Sequence, residues 1–324
     1  GQGALANARH EFAAAATDAR AAQRANAYFA PSYGVLTDAL TQLGDYPGAT
    51  AAAQKMLNLK PGISSFTRAS YDLELHGKVT EARRVLIQAL GSSSDPGDQA
   101  YCHTYLGELA FSTGDLDQAE SDYAAGLALA PDDAGLLLGR ARMQAARGDT
   151  VAAVTGYQHV VDVRPLPGSL VEYGQLLESL GRTAEAKAQL SLFTASEQLF
   201  AANGVQDSLT AALLAADDGD GAAAVAAGTA EYATRQNIDA ADALGWALHA
   251  AGRDAEAMPY AQQATRLGTQ NASFLYHRGM IEAGVGDTSA ARATLTRALD
   301  LNPYFSPLSA PRARAALAKL GGPL

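Results

Sequence analysis

Eight glycines, Gly44, Gly77, Gly114, Gly148, Gly181, Gly219, Gly252 and Gly286, follow one another at separations of 33, 37, 34, 33, 38, 33 and 34 residues. Alanine stands five positions after every one of them, and proline seventeen positions after four, at Pro61, Pro131, Pro165 and Pro303. A period of this length, held over most of a chain, restricts the fold to an array in which each unit packs on its neighbours. The residue types say what the unit is. Each glycine follows an apolar stretch and can take the positive φ that closes a helix. Aspartate follows at once in Gly44-Asp45, Gly114-Asp115, Gly148-Asp149 and Gly286-Asp287, placed to cap a second helix. The alanine lands on that helix's first turn, where a small side chain lets two antiparallel helices approach closely. Proline then ends the second helix and opens the next unit.

A helix-turn-helix unit of about 34 residues, with glycine, alanine and proline in these places, resembles the tetratricopeptide repeat. Leu106-Gly107, Gly114-Asp115, Ala119, Tyr123 and Pro131 carry the likeness most fully, followed by Gly279, Gly286-Asp287, Ala291, Ala298 and Pro303. The resemblance implies an all-α protein, a right-handed α-solenoid superhelix of about eight helix-turn-helix repeats with terminal capping helices. The expected division is an N-terminal capping helix over 1–29, repeats one to five over 30–203, repeats six to eight over 204–305 and a C-terminal capping helix over 306–324. One Ala-rich helix is expected over 4–28 and a final one from Pro311 to Leu320. Two units depart from the frame. The second carries Ser94 in place of proline within a longer loop, Gly91 to Gly97. The fifth lacks the proline, so helical sequence runs on from Ala184 to about Ala202.

Composition limits what such an array can hold. With 24 Lys+Arg against 34 Asp+Glu and a net charge of -10, the chain lacks the cationic footprint that nucleic acid requires. No stretch reaches the roughly 20 apolar residues of a membrane span, so direct insertion is not expected. The start at Gly1-Gln2-Gly3, without methionine, looks trimmed, which favours an exported or membrane-tethered protein over a cytoplasmic one. Cys102 is the only cysteine, which excludes an intrachain disulfide or a thiolate metal cluster.

Catalytic motifs are not found. Gly219-Asp220-Gly221 imitates a dinucleotide-binding loop, but a helix precedes it where a strand is required. Neither a phosphate loop nor a His-Glu-x-x-His zinc motif occurs, and Gly62-Ile63-Ser64-Ser65 lacks the second glycine of a nucleophile elbow. The pairs Asp132-Asp133 and Asp217-Asp218 fall at turns and read as solvated caps. Asp242, His249 and His277 form the one combination that could suit a divalent ion; hydrogen-bonding histidines are the commoner use. No enzyme activity and no cofactor are expected.

In the family it resembles, the first helix of each repeat lines the concave wall. The resemblance places that lining 13, 10, 6 and 3 residues before each turn glycine, positions that share one helical stripe. The stripe runs through Tyr71 and Glu74, then Tyr101, Glu108 and Phe111. It continues through Leu138, Arg142, Val171, Gln175, Leu209 and Leu213, and ends with Asp242, Trp246, His249, Tyr276 and Met280. The expected partner-binding residues are Tyr71, Tyr101, Glu108, Arg142, Gln175, Asp242, Trp246, His249, Tyr276 and Met280. Aromatic and aliphatic groups with scattered polar ones suit a protein or peptide partner. The family's carboxylate clamp needs several cations and an asparagine; Arg142 is the lone cation among these positions, so an acidic chaperone tail is not favoured. The expected function is a non-catalytic protein–protein interaction scaffold holding a peptide or helix in the groove, as a monomer or weak dimer. The alternative is a ligand- or metal-sensing repeat module of a larger regulatory or membrane-associated complex. Arg278 and Glu282 fit the frame poorly, because they fall on the stripe meant for packing.

Overall fold

The computed structural model describes residues 1–205 and 208–323, and all regular structure among them is helical. The N-terminal region differs from the single helix expected. It is a hairpin of α1 (Gln2–Ala8) and α2 (Phe12–Ala25), broken where His10 takes a φ of 62°. The break allows Ala6 of α1 and Ala15, Ala16 and Ala19 of α2 to share one core with Leu36, Ala39, Leu40, Ala49 and Ala52. A straight helix would leave part of that alanine surface in water.

Eight helix pairs follow in the expected frame: α3 (Ala30–Gln42) with α4 (Tyr46–Leu59), α5 (Ile63–Leu75) with α6 (Val79–Leu90), α7 (Pro96–Ser112) with α8 (Leu116–Leu129) and α9 (Ala134–Ala146) with α10 (Thr150–Val163). They continue with α11 (Pro167–Ser179) and α12 (Thr183–Ala202), α13 (Leu209–Asp217) and α14 (Gly221–Thr234), α15 (Ile238–Ala250) and α16 (Asp254–Ala264), and α17 (Ala272–Gly284) and α18 (Thr288–Leu301). A last helix, α19 (Ser309–Lys319), carries Pro311 in its first turn, as expected. α12 is the long helix of the fifth repeat, 20 residues.

The physical roles read from the frame are met. All eight turn glycines have φ between 70° and 86°. Asp45, Asp115, Asp149, Asp220 and Asp287 each accept a hydrogen bond from the backbone N–H three residues on. The eight frame alanines are all buried. Lys60, Ala130, Arg164 and Asn302, each just before a frame proline, leave the helix with φ between -136° and -150°.

The helices group into two compact units, and neither is contiguous in sequence. Unit 1 is Gly1–Ser94 with Ala202–Thr269; unit 2 is Asp95–Ala201 with Gln270–Leu324. Within each, a loop from the late repeats returns to the end of an early inner helix. In unit 1, Asn237 Nδ2 donates to Gln42 Oε1 at 2.8 Å, Ile238 N–H donates to the Tyr46 hydroxyl at 2.9 Å, and the Thr269 hydroxyl donates to the Leu75 carbonyl. In unit 2, Asn302 Nδ2 donates to the Phe111 carbonyl at 2.8 Å. The bonds to Leu75 and Phe111 satisfy carbonyls at helix ends, where intrahelical N–H groups run out. Two turn glycines make room for the return. A Cβ at Gly44 would lie 2.4 Å from the Gln236 carbonyl oxygen, and one at Gly114 2.9 Å from that of Leu301. No helix among the described residues is long and apolar enough to cross a membrane.

Candidate partner-binding site

A candidate site lies in unit 2, on the first helices of repeats three, four and five. Its foundation is Tyr123 of α8. The ring is buried between Gly107 of α7 and Gly139 of α9, where a Cβ would come within 2.4 and 2.3 Å of the ring carbons. That seat brings the hydroxyl to Glu108, to whose Oε1 it donates at 2.9 Å. Tyr157 of α10 repeats the arrangement one unit later, donating to Glu172 Oε2 at 3.4 Å. Burial, reinforced by the neighbouring carboxylates Glu108 and Glu172, pushes both phenols well up, so both remain donors at neutral pH.

Arg142 joins the two carboxylates. Its Nη1 donates to Glu108 Oε2 at 2.6 Å, while Nε and Nη2 hold Glu172 bidentately at 2.7 and 2.6 Å. Burial disfavours the charge on Arg142, but Glu172 and Glu108 outweigh it and keep the guanidinium protonated. Every side-chain nitrogen of this arginine that can donate is engaged. The result is a rigid, hydrogen-bonded floor.

Beside that floor opens a cavity of about 460 Å³. One wall is Phe111, Arg142, Gln175 and Leu176 from the inner helices; the other is the α18–α19 connection, above all Tyr304 and Phe305. Tyr276, buried to 2% exposure, packs on Phe305 with ring centroids 5.7 Å apart and so braces that wall from behind.

The structure brings Glu108, Arg142 and Gln175 together here. Tyr71, on α5, is 43% exposed; Tyr101, on α7, is 45% exposed and lies 4.8 Å from the Tyr105 ring, centroid to centroid. Met280 is half-buried on α17. The expected lining of α15 turns out otherwise. Asp242 and Trp246 are only 4% and 6% exposed, so with Tyr276 they offer almost no surface to a partner. Trp246 stacks on His249 with centroids 4.9 Å apart and donates from Nε1 to Asp217 Oδ1 at 2.9 Å. The reason is the composition of α15, whose other positions are mostly alanine, glycine and leucine. Neighbouring helices approach closely enough to cover the indole. Asp217 is therefore a hydrogen-bond partner rather than a solvated cap, whereas Asp133 does cap α9, accepting from Leu136 N–H at 2.9 Å.

His249 pairs through Nδ1 with Asp254, and among the described residues no three His, Cys, Asp or Glu side chains gather as a metal site would require. Cys102 is buried, and burial, with Asp98 nearby, pushes its thiol up to about 11. The two residues that fitted the frame poorly explain each other: Arg278 Nε donates to the buried carboxylate of Glu282 at 2.7 Å. Sequence reading missed Glu172, Tyr304 and Phe305. Glu172 stands nine residues before its turn glycine, off the expected stripe.

The helix pairs and their inward row of side chains define a class, the all-α arrays of helix-turn-helix repeats. Residues 272–305 match the tetratricopeptide repeat family model, and the glycine–alanine frame of that stretch recurs in the other seven units. Among solved structures it is similar to a tetratricopeptide repeat protein from Parabacteroides merdae, with 18% identity, 74% of this chain and 93% of that one covered, and a TM-score of 0.41. It is also similar to yeast Tom70, with 15% identity, coverage of 96% and 60%, and a TM-score of 0.46. A third is the APC/C hetero-tetramer Cut9-Hcn1, with 15% identity, coverage of 90% and 56%, and a TM-score of 0.49. The chain thus spans only 60% and 56% of the last two. No curated protein matches the sequence. At such identities and TM-scores the fold assignment rests on the repeat frame rather than on these likenesses.

Proposed function

We propose that the protein is a non-catalytic scaffold that holds a segment of a partner polypeptide on the inner helices of repeats three to five. One observation carries the reading. Phe111, Arg142 and Gln175, from three successive repeats, converge on a single cavity of about 460 Å³ with aromatic walls. Aromatic side chains around a desolvated hollow are the usual setting for interface anchors. The Glu108–Arg142–Glu172 network beneath it is fixed before a partner arrives, which reduces the ordering that binding requires. Within unit 2, exposed Tyr101 and half-buried Met280 are further contact positions under the same reading, and Tyr71 is a contact position of unit 1 taken by itself.

Selection of random displayed peptides on the purified protein tests this. Ala146, which lines the cavity, is replaced by Phe to fill it. Selected peptides are expected to lose at least about tenfold in affinity for the Ala146→Phe protein while its melting temperature holds, as expected for a blocked anchor pocket. A selection that yields no binder, or binders indifferent to the substitution, rejects the reading.

A further inference from the structure

The cavity in unit 2 has a charge arrangement that specifies more than a general affinity for apolar groups. All four carboxylate oxygens of Glu108 and Glu172 receive a hydrogen bond, from Arg142, Tyr123 or Tyr157. Arg142 spends Nε, Nη1 and Nη2 on the same two groups. Each nitrogen of the Arg142 guanidinium is thus already turned to these two carboxylates, and its charge is offset by theirs. With two carboxylates against one guanidinium, the floor carries an excess of one negative charge, which repels an acid placed deep in the cavity.

The rim is the opposite. Exposed Arg314 of α19 lines the cavity, and its one bond among the described residues runs from Nη2 to the Pro303 carbonyl at 2.7 Å. Its Nε and Nη1 have no partner among the described residues. α19 also carries Arg312 and Lys319 and has no carboxylate of its own, within a chain of net charge -10. A guanidinium with two unengaged nitrogens at the rim of a partly apolar hollow complements a carboxylate at the mouth of that hollow.

Resting on the scaffold reading above, we infer that the cavity takes an uncharged aromatic or large aliphatic side chain of the partner segment, with an internal acidic side chain beside it held at the rim by Arg314. The apolar side chain fills the space between Phe111, Leu176 and Phe305. The acid stays outside, away from the floor's negative excess. The recognised group is a side-chain carboxylate within a polypeptide, so a chain terminus is not required.

Fluorescence anisotropy with N-acetylated, C-amidated octapeptides labelled on an internal lysine tests the assignment. One peptide carries a central Phe flanked by Asp; a second has the flanks changed to Lys; a third has Phe changed to Ala; a fourth has Phe changed to Asp. The Asp-flanked Phe peptide is expected to bind at least about tenfold more tightly than each of the other three. Arg314→Gln is expected to shrink the preference for Asp over Lys flanks below about threefold, and Arg314→Lys to retain most of it, because exposed ion pairs depend on charge more than on geometry. The lysine variant separates the charge of Arg314 from its bond to Pro303, and thermal melts check that both variants fold. Equal binding of Lys-flanked peptides, or an unchanged preference in Arg314→Gln, overturns the inference while leaving the scaffold reading intact if Ala146→Phe still abolishes binding. Tight binding of free 3-phenylpropionate, matching the peptide, also overturns it by marking a small-molecule site. If none of the four peptides binds, this inference falls; the scaffold reading falls only if display selection also returns nothing.

Discussion

Arg142 and Trp246 hold the same place in the repeat, six residues before the turn glycines Gly148 and Gly252, yet they end in opposite surroundings. Arg142, in unit 2, keeps one edge on an open cavity and is fixed there by two carboxylates. Trp246, in unit 1, is roofed over and anchored by Asp217 and His249. The frame decides which side of a helix a residue occupies. Whether that side meets water depends on the bulk of the neighbours, and α15, rich in alanine with glycine and leucine, lets them close in. One position thus yields a cavity wall in one unit and a core in the other.

The sharpest way to break this contrast is Trp246→Ala. The loss of a buried indole and its hydrogen bond is expected to lower stability by about 3–4 kcal/mol in urea unfolding, with peptide affinity at the unit 2 cavity changed less than about threefold. A large loss of affinity without loss of stability would return Trp246 to the binding surface. Next is Arg142→Met, which leaves Glu108 and Glu172 facing each other unneutralised. A loss of about 2 kcal/mol is expected, discounted because all three groups are partly exposed, and Glu172→Gln in the same chain should restore about half. Gly107→Ala follows. Its Cβ would press on the buried Tyr123 ring, so overpacking exceeds the gain in helix propensity and a net loss of about 1–2 kcal/mol is expected in thermal unfolding.

The smallest expected effect tests the closed side again. Burial, with Asp242 one turn away, pushes the Asp239 carboxyl up to about 6, and Arg235 only partly offsets this. Its folded value lies above the unfolded one, so protonation favours the folded state. The wild type should therefore gain stability as pH falls from 7.5 to 5, while Asp239→Asn should be about 1 kcal/mol more stable than wild type at pH 7.5 and should lack this part of the pH dependence. Parallel pH curves for the two proteins would show that Asp239 is better solvated than its position on α15 indicates.

The repeat frame was legible because its residues act locally. A glycine must turn, an aspartate must cap and an alanine must let helices touch, whatever lies farther off. The site was legible only in part. Glu108, Arg142 and Gln175 lie on the stripe that the resemblance implies, but Glu172, the partner of Arg142, lies one repeat on and one position off it. That offset has its own regularity. Asp38 and Arg68 stand at the same two places in repeats one and two, 30 residues apart like Arg142 and Glu172, and form a bidentate pair at 2.8 and 2.7 Å with the charges exchanged. Opposite charges at this spacing are thus a usable sequence signal, one that a stripe taken a single helix at a time does not contain. The cavity's second wall had no such signal. Tyr304 and Phe305 reach it only because the chain returns to repeat three, which depends on packing over distances that no local pattern records.

That return governs the order of assembly. The bonds from Asn237 to Gln42, Thr269 to Leu75 and Asn302 to Phe111 join residues 195, 194 and 191 positions apart. Stacked hairpins can mature one after another as a nascent chain emerges, but these clasps must wait until the last third of the polypeptide has been made. A protease cut near Gly204 would not release two finished bodies. Each fragment would carry half of both, and neither could complete its own half without the other.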